Sequence, residues 1–375
     1  MFNHPAAISR LCVNNDVTRL GEDYLAGLID IEGDVEAAFG LIPYIETLEF
    51  QTSRKLRLLR DAWLLKQHAP TAAPSRVGTK KWRQRARNSG DSIAHHYDVG
   101  NAFYRLWLDP EMVYSCAYFA SADQPLDAAQ RDKLDYICRK LRLQPGQKLL
   151  DIGCGWGALV RWAARHYGVT AHGITLSEEQ YRYARDRVRA EGLEHRVRIE
   201  LLDYRNLPED AQYDRVTSVG MFEHLGVKEL PHYFATIHRV LAPGGLFLNH
   251  GITHFSGWNA TPITRFVNRH VFPDGELARV SDVCSGMEAA GFELFDVESL
   301  RRHYVLTLRK WIRALEAHRS AVVAASSEAT FRLWRLYMAG SAHFFGEGST
   351  NVYQILAGKR GEKVILPMRR DDLYI

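Results

Sequence analysis

The chain contains 375 residues, of which 46% are hydrophobic and 25% are charged, and its formal net charge is +4. This composition excludes an intrinsically disordered chain and suits a globular protein with one large domain or two modest ones. No apolar run approaches the roughly 20 residues that cross a bilayer, and the amino terminus lacks a secretory signal, so we expect a cytoplasmic protein. The five cysteines form no CxxC pair, so we expect neither a disulfide framework nor a structural zinc site and assign no metal ligand.

The first region, residues 1–70, predicts a small helical domain. Its apolar residues recur at spacings of three and four in LAGLIDIEGDVEAAFGLI and SRKLRLLRDAWLLKQH. Residues 71–89 follow as a linker, in which RVGTKKWRQRAR carries six basic side chains and no acidic one between Arg76 and Arg87. This basic run indicates either a solvated linker or a surface that attracts a polyanion, such as nucleic acid or an anionic membrane.

Residues 90–358 alternate strands with helices and predict a doubly wound α/β domain. Strands are expected in QKLLDIGCG, VTAHGITL, YDRVTSVGMF and GGLFLNHGIT, and helices in ALVRWAARHY, SEEQYRYARDRVRAE and YFATIHRVL. This succession implies a parallel sheet with helices on both faces, in which ligands bind beyond the carboxyl ends of the strands. The rest of the region is rich in helices and aromatic residues, which suits a lid over a pocket or a cover for the sheet. Residues 359–375 are assigned as a carboxyl-terminal tail.

The segment LLDIGCGWG places Gly153, Gly155 and Gly157 on a turn from strand to helix. Such a loop serves dinucleotide enzymes and methyltransferases alike. A nicotinamide site needs a carboxylate at the end of the second strand, but that strand ends in HGITLS, so hydride transfer is disfavoured. Asp151 instead suits the positively charged methionine end of S-adenosylmethionine, and Asp203, at the end of the next strand, suits an adenine amino group.

With these features the sequence resembles the cyclopropane-fatty-acid synthases and mycolic acid cyclopropane synthases. The resemblance covers the chain to about Gly358 and rests on HHYDVGNAFYRLWLDPEMVYSCAYF, LLDIGCGWG, GITLSEEQ, DYRNL, VTSVGMFEHLG, GGLFLNHGI and NRHVFPDGEL, in the family's order and spacing. It implies a Rossmann-like class I methyltransferase sheet with a helical lid. It also implies a C-methyltransferase that moves a methyl group from S-adenosylmethionine to the cis double bond of a phospholipid acyl chain, after which proton loss closes a cyclopropane ring.

The resemblance also implies two sets of site residues. The first set binds bicarbonate, which acts as the general base: Cys116, Glu223, His250, Ile252 through its backbone, and Tyr304. The second set binds the cofactor: Tyr114, Ser115, Asp151, Gly153, Gly155, Gly157, Thr175, Leu176, Gln180, Asp203, Tyr204 and Arg205. Taken singly, Cys116, His250 and Tyr304 fit a packing role better, and only the joint match favours a site. Many members carry a cysteine where LYMAGSAHFF has Ser341, a difference that a reaction without a covalent enzyme intermediate tolerates.

The implied partner is an unsaturated phospholipid acyl chain, so we expect peripheral association with the inner face of the cell membrane. The basic run and the first helices suit this contact, and FRLWRLYMAGSAHFF suits either an acyl channel or plain core. Family members are often dimers, and no nucleic-acid module is recognisable. Three alternatives stay open: a methyl-branched or methylene fatty acid as the product, a small-molecule N-methyltransferase, and a lipid-binding or cofactor-sensing protein without turnover.

Overall fold

The computed structural model describes residues 1, 3, 4, 7, 17–47, 57, 60, 61, 64, 100–272 and 275–374. The predicted linker 71–89 with its basic run, most of the second predicted amino-terminal helix, and Cys12 lie outside the described residues.

A seven-stranded sheet forms the centre of the described chain. Its strands are β1 (Lys148–Ile152), β2 (Thr170–Thr175), β3 (Val197–Leu201), β4 (Tyr213–Val219), β5 (Leu241–His254), β6 (Phe292–Ser299) and β7 (Thr350–Lys359). The spatial order is β3-β2-β1-β4-β5-β7-β6. The neighbours from β3 to β5 pair in parallel, as the sequence predicts, whereas β7 runs antiparallel to both β5 and β6. The sheet is therefore mixed rather than wholly parallel.

The helices lie before the sheet, between its strands and over its carboxyl-terminal edge. In chain order they are α1 (Val17–Leu25), α2 (Val35–Phe39), α3 (Ile42–Glu46), α4 (Asn101–Tyr104), α5 (Leu126–Lys140), α6 (Ala158–Tyr167), α7 (Glu178–Ala190), α8 (Leu230–Val240), α9 (Pro262–His270), α10 (Val280–Ala289), α11 (Arg301–Ala317), α12 (Arg319–Ala325) and α13 (Glu328–Glu347). The described residues contain no helix long and apolar enough to cross a membrane.

Successive residues of β1 face opposite sides of the sheet and so belong to different cores. Leu149 packs into the core beneath α5, α6 and α7, while Leu150 packs into the core beneath α8 and α10. The one-residue alternation of a strand therefore explains why two apolar neighbours are both fully buried. It also explains the run of apolar residues that marks β1 in the sequence, because both faces of the strand are covered.

A third core is aromatic and lies under the helices that follow β6. Trp107 and Trp156 share it with Trp311 of α11 and Trp334 of α13. The two helices α11 and α13 pack against one another above this core. The predicted lid or cover is thus a helical pair with an aromatic underside.

The amino-terminal helices dock on α13. Arg332 forms an ion pair with Asp30 at 3.0 Å, and Arg335 donates a hydrogen bond of 3.1 Å to the hydroxyl of Tyr24. The helical prediction for LAGLIDIEGDVEAAFGLI is wrong at residues 26–34, which form turns and a bridge. Gly27 and Gly33 have φ angles of +73° and +80° in this stretch, a conformation that interrupts a helix.

The predicted carboxyl-terminal tail lies across α5 and the outer strand of the sheet. Leu373 is buried, and its carbonyl accepts a hydrogen bond of 2.6 Å from Arg139. Arg370 pairs with Asp296 of β6 at 2.8 Å. The described part of the tail is therefore anchored at several points.

Candidate active site

The glycine loop connects β1 to α6 in a conformation that glycine favours. Gly153 and Gly157 have φ angles of +80° and +81°. A Cβ atom on Gly153 would lie 3.1 Å from Met221, and a Cβ atom on Gly157 would lie 3.0 Å from Ala184. A Cβ atom on Gly155 would meet nothing within 4 Å, so the middle of the loop stays open for the close approach of a ligand.

A cleft opens between this loop and residues 112–115, beyond the carboxyl ends of the strands. Its lining contains all but one of the residues predicted to bind the cofactor: Tyr114, Ser115, Asp151, Gly153, Gly155, Thr175, Leu176, Gln180, Asp203, Tyr204 and Arg205. Gly157 does not line the cleft and acts in the turn instead. The structure therefore brings the predicted cofactor residues to one place.

The segment MVYSC forms the wall of the cleft opposite the glycine loop and is held from both sides. Met112 has a φ angle of +59°, which is unusual for a residue with a side chain. The carboxyl oxygens of Asp109 accept hydrogen bonds of 2.9 Å from the backbone N–H groups of Glu111 and Val113. Gln130 of α5 donates to the carbonyl of Ser115 at 3.0 Å. Such anchoring maintains a strained backbone where a ligand needs a fixed wall.

Asp151 lies at the floor of the cleft and is only 2% exposed. Its Oδ1 atom is buried and has no hydrogen-bond partner among the described residues. Burial raises the pKa of this carboxyl to about 7, and the positive charge of Lys133 partly opposes that rise. A buried acceptor without a partner calls for a donor from a ligand, and a cationic group fits best.

The end of β2 orients an amide toward the cleft. Ser177 caps α7 by accepting a hydrogen bond of 3.3 Å from the backbone N–H of Gln180. Thr175 donates its hydroxyl to Oε1 of Gln180 at 2.9 Å. The amide nitrogen of Gln180, a predicted cofactor residue, keeps two N–H donors, which suit a ribose hydroxyl.

Asp203 and Arg205 form an ion pair at the opposite end of the cleft. Arg205 donates to the Asp203 carboxylate at 3.0 and 2.6 Å. Although burial opposes the effect, these hydrogen bonds hold the pKa of Asp203 below its usual value. An ionised carboxylate has further lone pairs, so the predicted acceptance of an adenine amino group stays compatible with this pair.

His250 and Ile252 lie on the same face of β5, two residues apart. His250 is opposed in register by Gln354 of β7, and the Gln354 amide nitrogen lies 3.2 Å from Nδ1 of the imidazole. Burial and the charges of Lys133 and Lys140 lower the pKa of His250 to about 3. The imidazole is therefore neutral, and acceptance at Nδ1 leaves its proton on Nε2.

Glu223 follows β4 in the short 3-10 turn Phe222–His224 and lies against β5. A Cβ atom on Gly251 would overlap the Phe222 ring and lie 2.8 Å from Oε2 of Glu223, so only glycine permits this close approach. The Oε2 atom is buried without a hydrogen-bond partner in the described chain. Burial raises the pKa of Glu223 to about 7, and the backbone at Glu223 and Ile252 opposes the rise.

Leu300 connects Cys116 and Tyr304 to β5. The thiol of Cys116 lies 3.7 Å from the Leu300 carbonyl, which also accepts the backbone N–H of Tyr304 at 3.0 Å. The backbone N–H of Leu300 in turn donates to Val352, the residue that pairs with Ile252. Burial raises the pKa of the Cys116 thiol, so this side chain is a neutral hydrogen-bonding wall rather than a thiolate.

Ser341 takes part in a group of hydroxyls beside Glu223. Burial raises the pKa of Tyr337, and the negative charge of Glu223 adds to that rise, while hydrogen bonds with Ser341 and Tyr114 oppose it. The serine thus has a polar partner. Tyr337 thereby connects the cofactor cleft at Tyr114 with the neighbourhood of Glu223.

The predicted bicarbonate residues lie beside the cofactor cleft rather than in its lining. Cys116, Tyr304 and Ile252 belong to the aromatic core, which meets the cleft at Tyr114 and Trp156. The described structure thus places polar side chains, chief among them Glu223 and His250, beside the cofactor cleft, and we call this group the second compartment.

Sequence reasoning missed several polar residues that hold this site together. Gln130 and Lys133 lie on the buried face of α5, and Gln354 is fully buried in β7. Their signal in the sequence is a polar residue at a position where the period of the helix or strand expects an apolar one. Such residues support the site but lie outside the short motifs from which the site was predicted.

The comparisons agree with this geometry. The model of the family described as "Mycolic acid cyclopropane synthetase" matches residues 84–355. A "Probable fatty acid methyltransferase" of Pseudomonas putida is 42% identical over 100% of this chain and 91% of its own length. The "Cyclopropane-fatty-acyl-phospholipid synthase" of Escherichia coli (strain K12) is 39% identical over 70% of this chain and 66% of its own length.

A solved structure confirms the predicted fold class. Mycolic acid cyclopropane synthase CmaA1, complexed with SAH and CTAB, superposes with a TM-score of 0.68 at 34% identity, covering 72% of this chain and 98% of that chain. The mixed sheet with its helices is therefore a class I methyltransferase fold. The chain belongs to the mycolic acid cyclopropane synthetase family, whose members are S-adenosylmethionine-dependent methyltransferases that act on lipids.

Proposed function

We propose that the protein adds a methylene group from S-adenosylmethionine across the cis double bond of an unsaturated phospholipid acyl chain and so forms a cyclopropane fatty acid. The observation that carries this proposal is the buried carboxyl of Glu223, whose Oε2 has no partner among the described residues. It lies against the strand that carries neutral His250, next to the cofactor cleft. The names of the Pseudomonas and Escherichia relatives support a fatty acyl substrate.

The cleft fits the cofactor through its buried and oriented polar groups. The partnerless Oδ1 of Asp151 suits the methionine ammonium, and the amide of Gln180 suits a ribose hydroxyl. Once bound, S-adenosylmethionine supplies an electrophilic methyl group. The glycine loop and the strained wall at Met112 hold the two sides of the cleft at fixed positions, which aligns the reacting groups without a further conformational cost.

The reaction needs no nucleophile from the enzyme, because each bond change involves only the methyl donor, the alkene and a base. A C–C bond forms between the methyl carbon and one alkene carbon while the C–S bond breaks and sulfur keeps its electron pair. Positive charge then develops on the other alkene carbon. Loss of a proton from the new methyl group releases the C–H electron pair, which closes the ring. A base next to the methyl group is therefore the one chemical group that the site must add.

The second compartment suits bicarbonate as that base. The Nε2–H of neutral His250 and the hydroxyl of Tyr304 are donors of the kind that an anion needs. The thiol of Cys116 donates to the backbone carbonyls of Ala117 and Leu300 and so forms a wall beside them. Ionised Glu223 would accept the O–H of bicarbonate, which would leave a deprotonated oxygen of the anion available as the base. The donors hold the anion, while the carboxylate orients it.

The aromatic core suits a reaction that passes through positive charge on carbon. The ring of Tyr114 has its centroid 5.2 Å from that of Trp311, 5.6 Å from Trp107 and 5.8 Å from Trp334. Aromatic faces attract a cation, and their apolar bulk excludes the water that would otherwise capture it.

The proposal places the enzyme in the cytoplasm, bound peripherally to the inner face of the membrane that holds its substrate. The basic run between Arg76 and Arg87 supplies the positive charge for an anionic lipid surface. Assembly as a homodimer stays a prediction of the family resemblance.

The test is incubation of the protein with S-adenosylmethionine, bicarbonate and vesicles of a cis-unsaturated phospholipid, followed by mass spectrometry of the released acyl chains. We expect a gain of one CH2 per converted chain, together with loss of the olefinic proton signals in NMR. The same gain with a surviving double bond would support the branched or methylene product instead. An unchanged lipid, with folded protein and bound cofactor, would overturn the proposal.

A further inference from the structure

We propose that the ammonium group of Lys133 binds the α-carboxylate of the cofactor's methionine end, so that Lys133 and Asp151 together recognise an amino acid. This inference rests on the cofactor assignment in the proposed function. It adds a binding residue that neither the glycine loop nor the residues carried over from the family resemblance include.

Lys133 is placed to meet a ligand. It lies in α5, is 2% exposed, and lines the cleft beside Asp151 and Ser115. Its ammonium donates a hydrogen bond of 2.8 Å to the hydroxyl of Ser115. No other hydrogen bond of this ammonium is present within the described residues, so two of its three N–H donors remain for a ligand.

The carboxyl groups near Lys133 have different tasks. Asp109 accepts the backbone N–H groups of Glu111 and Val113, at the start of the MVYSC segment, and is occupied by that structural role. Asp151 has a buried oxygen without a partner in the described chain. The floor of the cleft thus presents a buried cation with free donors next to a buried acid with a free acceptor. An α-amino acid, with its carboxylate and ammonium, is complementary to this pair.

The other groups at the cleft do not supply a competing cation. Among the described residues that line it, Arg205 is paired with Asp203 at the nucleotide end. His224 also lines the cleft, but burial lowers its pKa to about 4 and keeps it neutral. A ligand carboxylate that binds beside Asp151 would therefore form its ion pair with the ammonium of Lys133.

Charge balance favours the same assignment. Asp109 and Asp151, when both are ionised, leave an excess of negative charge around Lys133. A bound amino acid adds one charge of each sign, and the sulfonium adds the missing positive charge.

Bicarbonate is a second source of the same ligand chemistry. The charge of Lys133 also acts on Cys116 and His250, which lie on the side of the proposed bicarbonate site. However, Lys133 lines the cofactor cleft and donates to Ser115, whereas no hydrogen bond joins it to Cys116 or His250 in the described structure. We therefore assign its free donors to the methionine carboxylate.

The experiment is calorimetric binding of S-adenosylhomocysteine and of its decarboxylated analogue to three proteins: wild type, Lys133→Met and Lys133→Gln. The wild type should prefer the carboxylate form. Loss of a hydrogen bond to a charged group should reduce that preference by about 10-fold to 100-fold in both variants. The glutamine side chain in the second variant keeps a neutral donor for Ser115, which protects the fold.

Lys140→Met is the matched control. Lys140 lies two turns further along α5 and is equally buried, but it pairs with Asp296 at 3.0 Å and Glu298 at 2.5 Å, away from the cleft. This variant should lower stability and keep the wild-type preference for the carboxylate form. An unchanged preference for the carboxylate form in both Lys133 variants would overturn the inference. If these variants changed only the bicarbonate requirement of the reaction, Lys133 would act on the second compartment instead of the methionine carboxylate. Failure of the wild type to bind either ligand would overturn the cofactor assignment itself.

Discussion

Two buried carboxyl groups, Glu223 and Asp151, mark the two compartments of the site. Each has an oxygen without a partner in the described structure, and burial raises the pKa of each to about 7. In the folded protein both therefore hold a proton at pH values where the unfolded chain has already lost it. A protein tolerates such groups where a ligand completes them, because they cost stability otherwise.

Replacement of Glu223 by glutamine should nearly abolish turnover and leave cofactor binding intact. The amide keeps the shape of the side chain but has no negative charge with which to orient bicarbonate. We expect a loss in kcat of about 100-fold or more, with a dissociation constant for S-adenosylhomocysteine within about twofold of wild type. Initial rates on lipid vesicles give kcat, and calorimetry gives the dissociation constant.

The pH profile makes this prediction specific. The wild-type rate should rise as pH increases through about 7, because the proposed mechanism uses the ionised form of Glu223. Glu229→Gln, which changes an exposed carboxyl in the same stretch, should keep both the rate and the profile. A normal rate in Glu223→Gln would remove this residue from the mechanism.

The same pKa shift has a consequence for stability. A carboxyl whose folded pKa lies above its unfolded value of about 4.5 binds more protons in the folded state, so the free energy of unfolding falls as pH rises from about 5 to 7. Glu223→Gln should reduce this fall. Urea unfolding of wild type and variant at the two pH values measures the difference, and an equal fall in both would contradict the buried position of Glu223.

At the scale of elements, α13 joins the amino-terminal helices to the site. Arg332 and Arg335 hold the amino-terminal segment, and Trp334 packs in the aromatic core. Tyr337 and Ser341 lie on the same helix beside Glu223. Movement of α13 therefore affects both the docked helices and the reaction compartment.

Gly340→Ala should loosen this docking. A Cβ atom at Gly340 would lie 2.7 Å from the ring of Phe39 in α2, so the added methyl group should destabilise the protein by about 1–3 kcal/mol. Thermal unfolding measures the change. Gly346→Ala is the control in the same helix, because its Cβ would meet nothing within 4 Å and should leave stability equal or raise it by up to about 1 kcal/mol. Equal effects of the two substitutions would contradict the Phe39 contact.

The sequence predicted the elements whose signals are local. The apolar run of β1 with its glycine turn, the Ser177 cap and the helical spacing of α7 all lie within short windows. The strands β6 and β7 were not predicted, since β6 is only partly buried along most of its length and β7 is identified only by its pairing with distant partners. The supporting residues Lys133 and Gln354 were missed for the same reason, because their partners are distant in sequence.

At the scale of the whole molecule, the basic run occupies residues 76–87, whereas the residues that line the cleft lie between Met112 and Leu225. Membrane contact and chemistry are therefore assigned to different parts of the chain. Substitutions in the basic run should leave catalysis intact, and substitutions in the cleft should leave membrane binding intact.

Exchange of Lys80, Lys81, Arg83 and Arg85 for glutamine should weaken binding to anionic vesicles by about tenfold or more at low salt, since each basic residue near such a surface contributes about 1 kcal/mol. Co-sedimentation measures the binding. A control that exchanges four exposed arginines of the catalytic region, Arg182, Arg185, Arg189 and Arg198, changes the net charge equally and should bind nearly as well as wild type. Unchanged sedimentation of the first variant would contradict the membrane role of the basic run.

The most direct test of the proposed reaction is the fate of the methyl hydrogens. S-adenosylmethionine with a fully deuterated methyl group should give an acyl chain that carries two deuterium atoms in a ring methylene and has no double bond, because the base removes the third deuteron before ring closure. Mass spectrometry counts the deuterium, and NMR locates it. A product that keeps all three deuterium atoms, or one that carries two in an exocyclic methylene, would contradict cyclopropane formation by this protein.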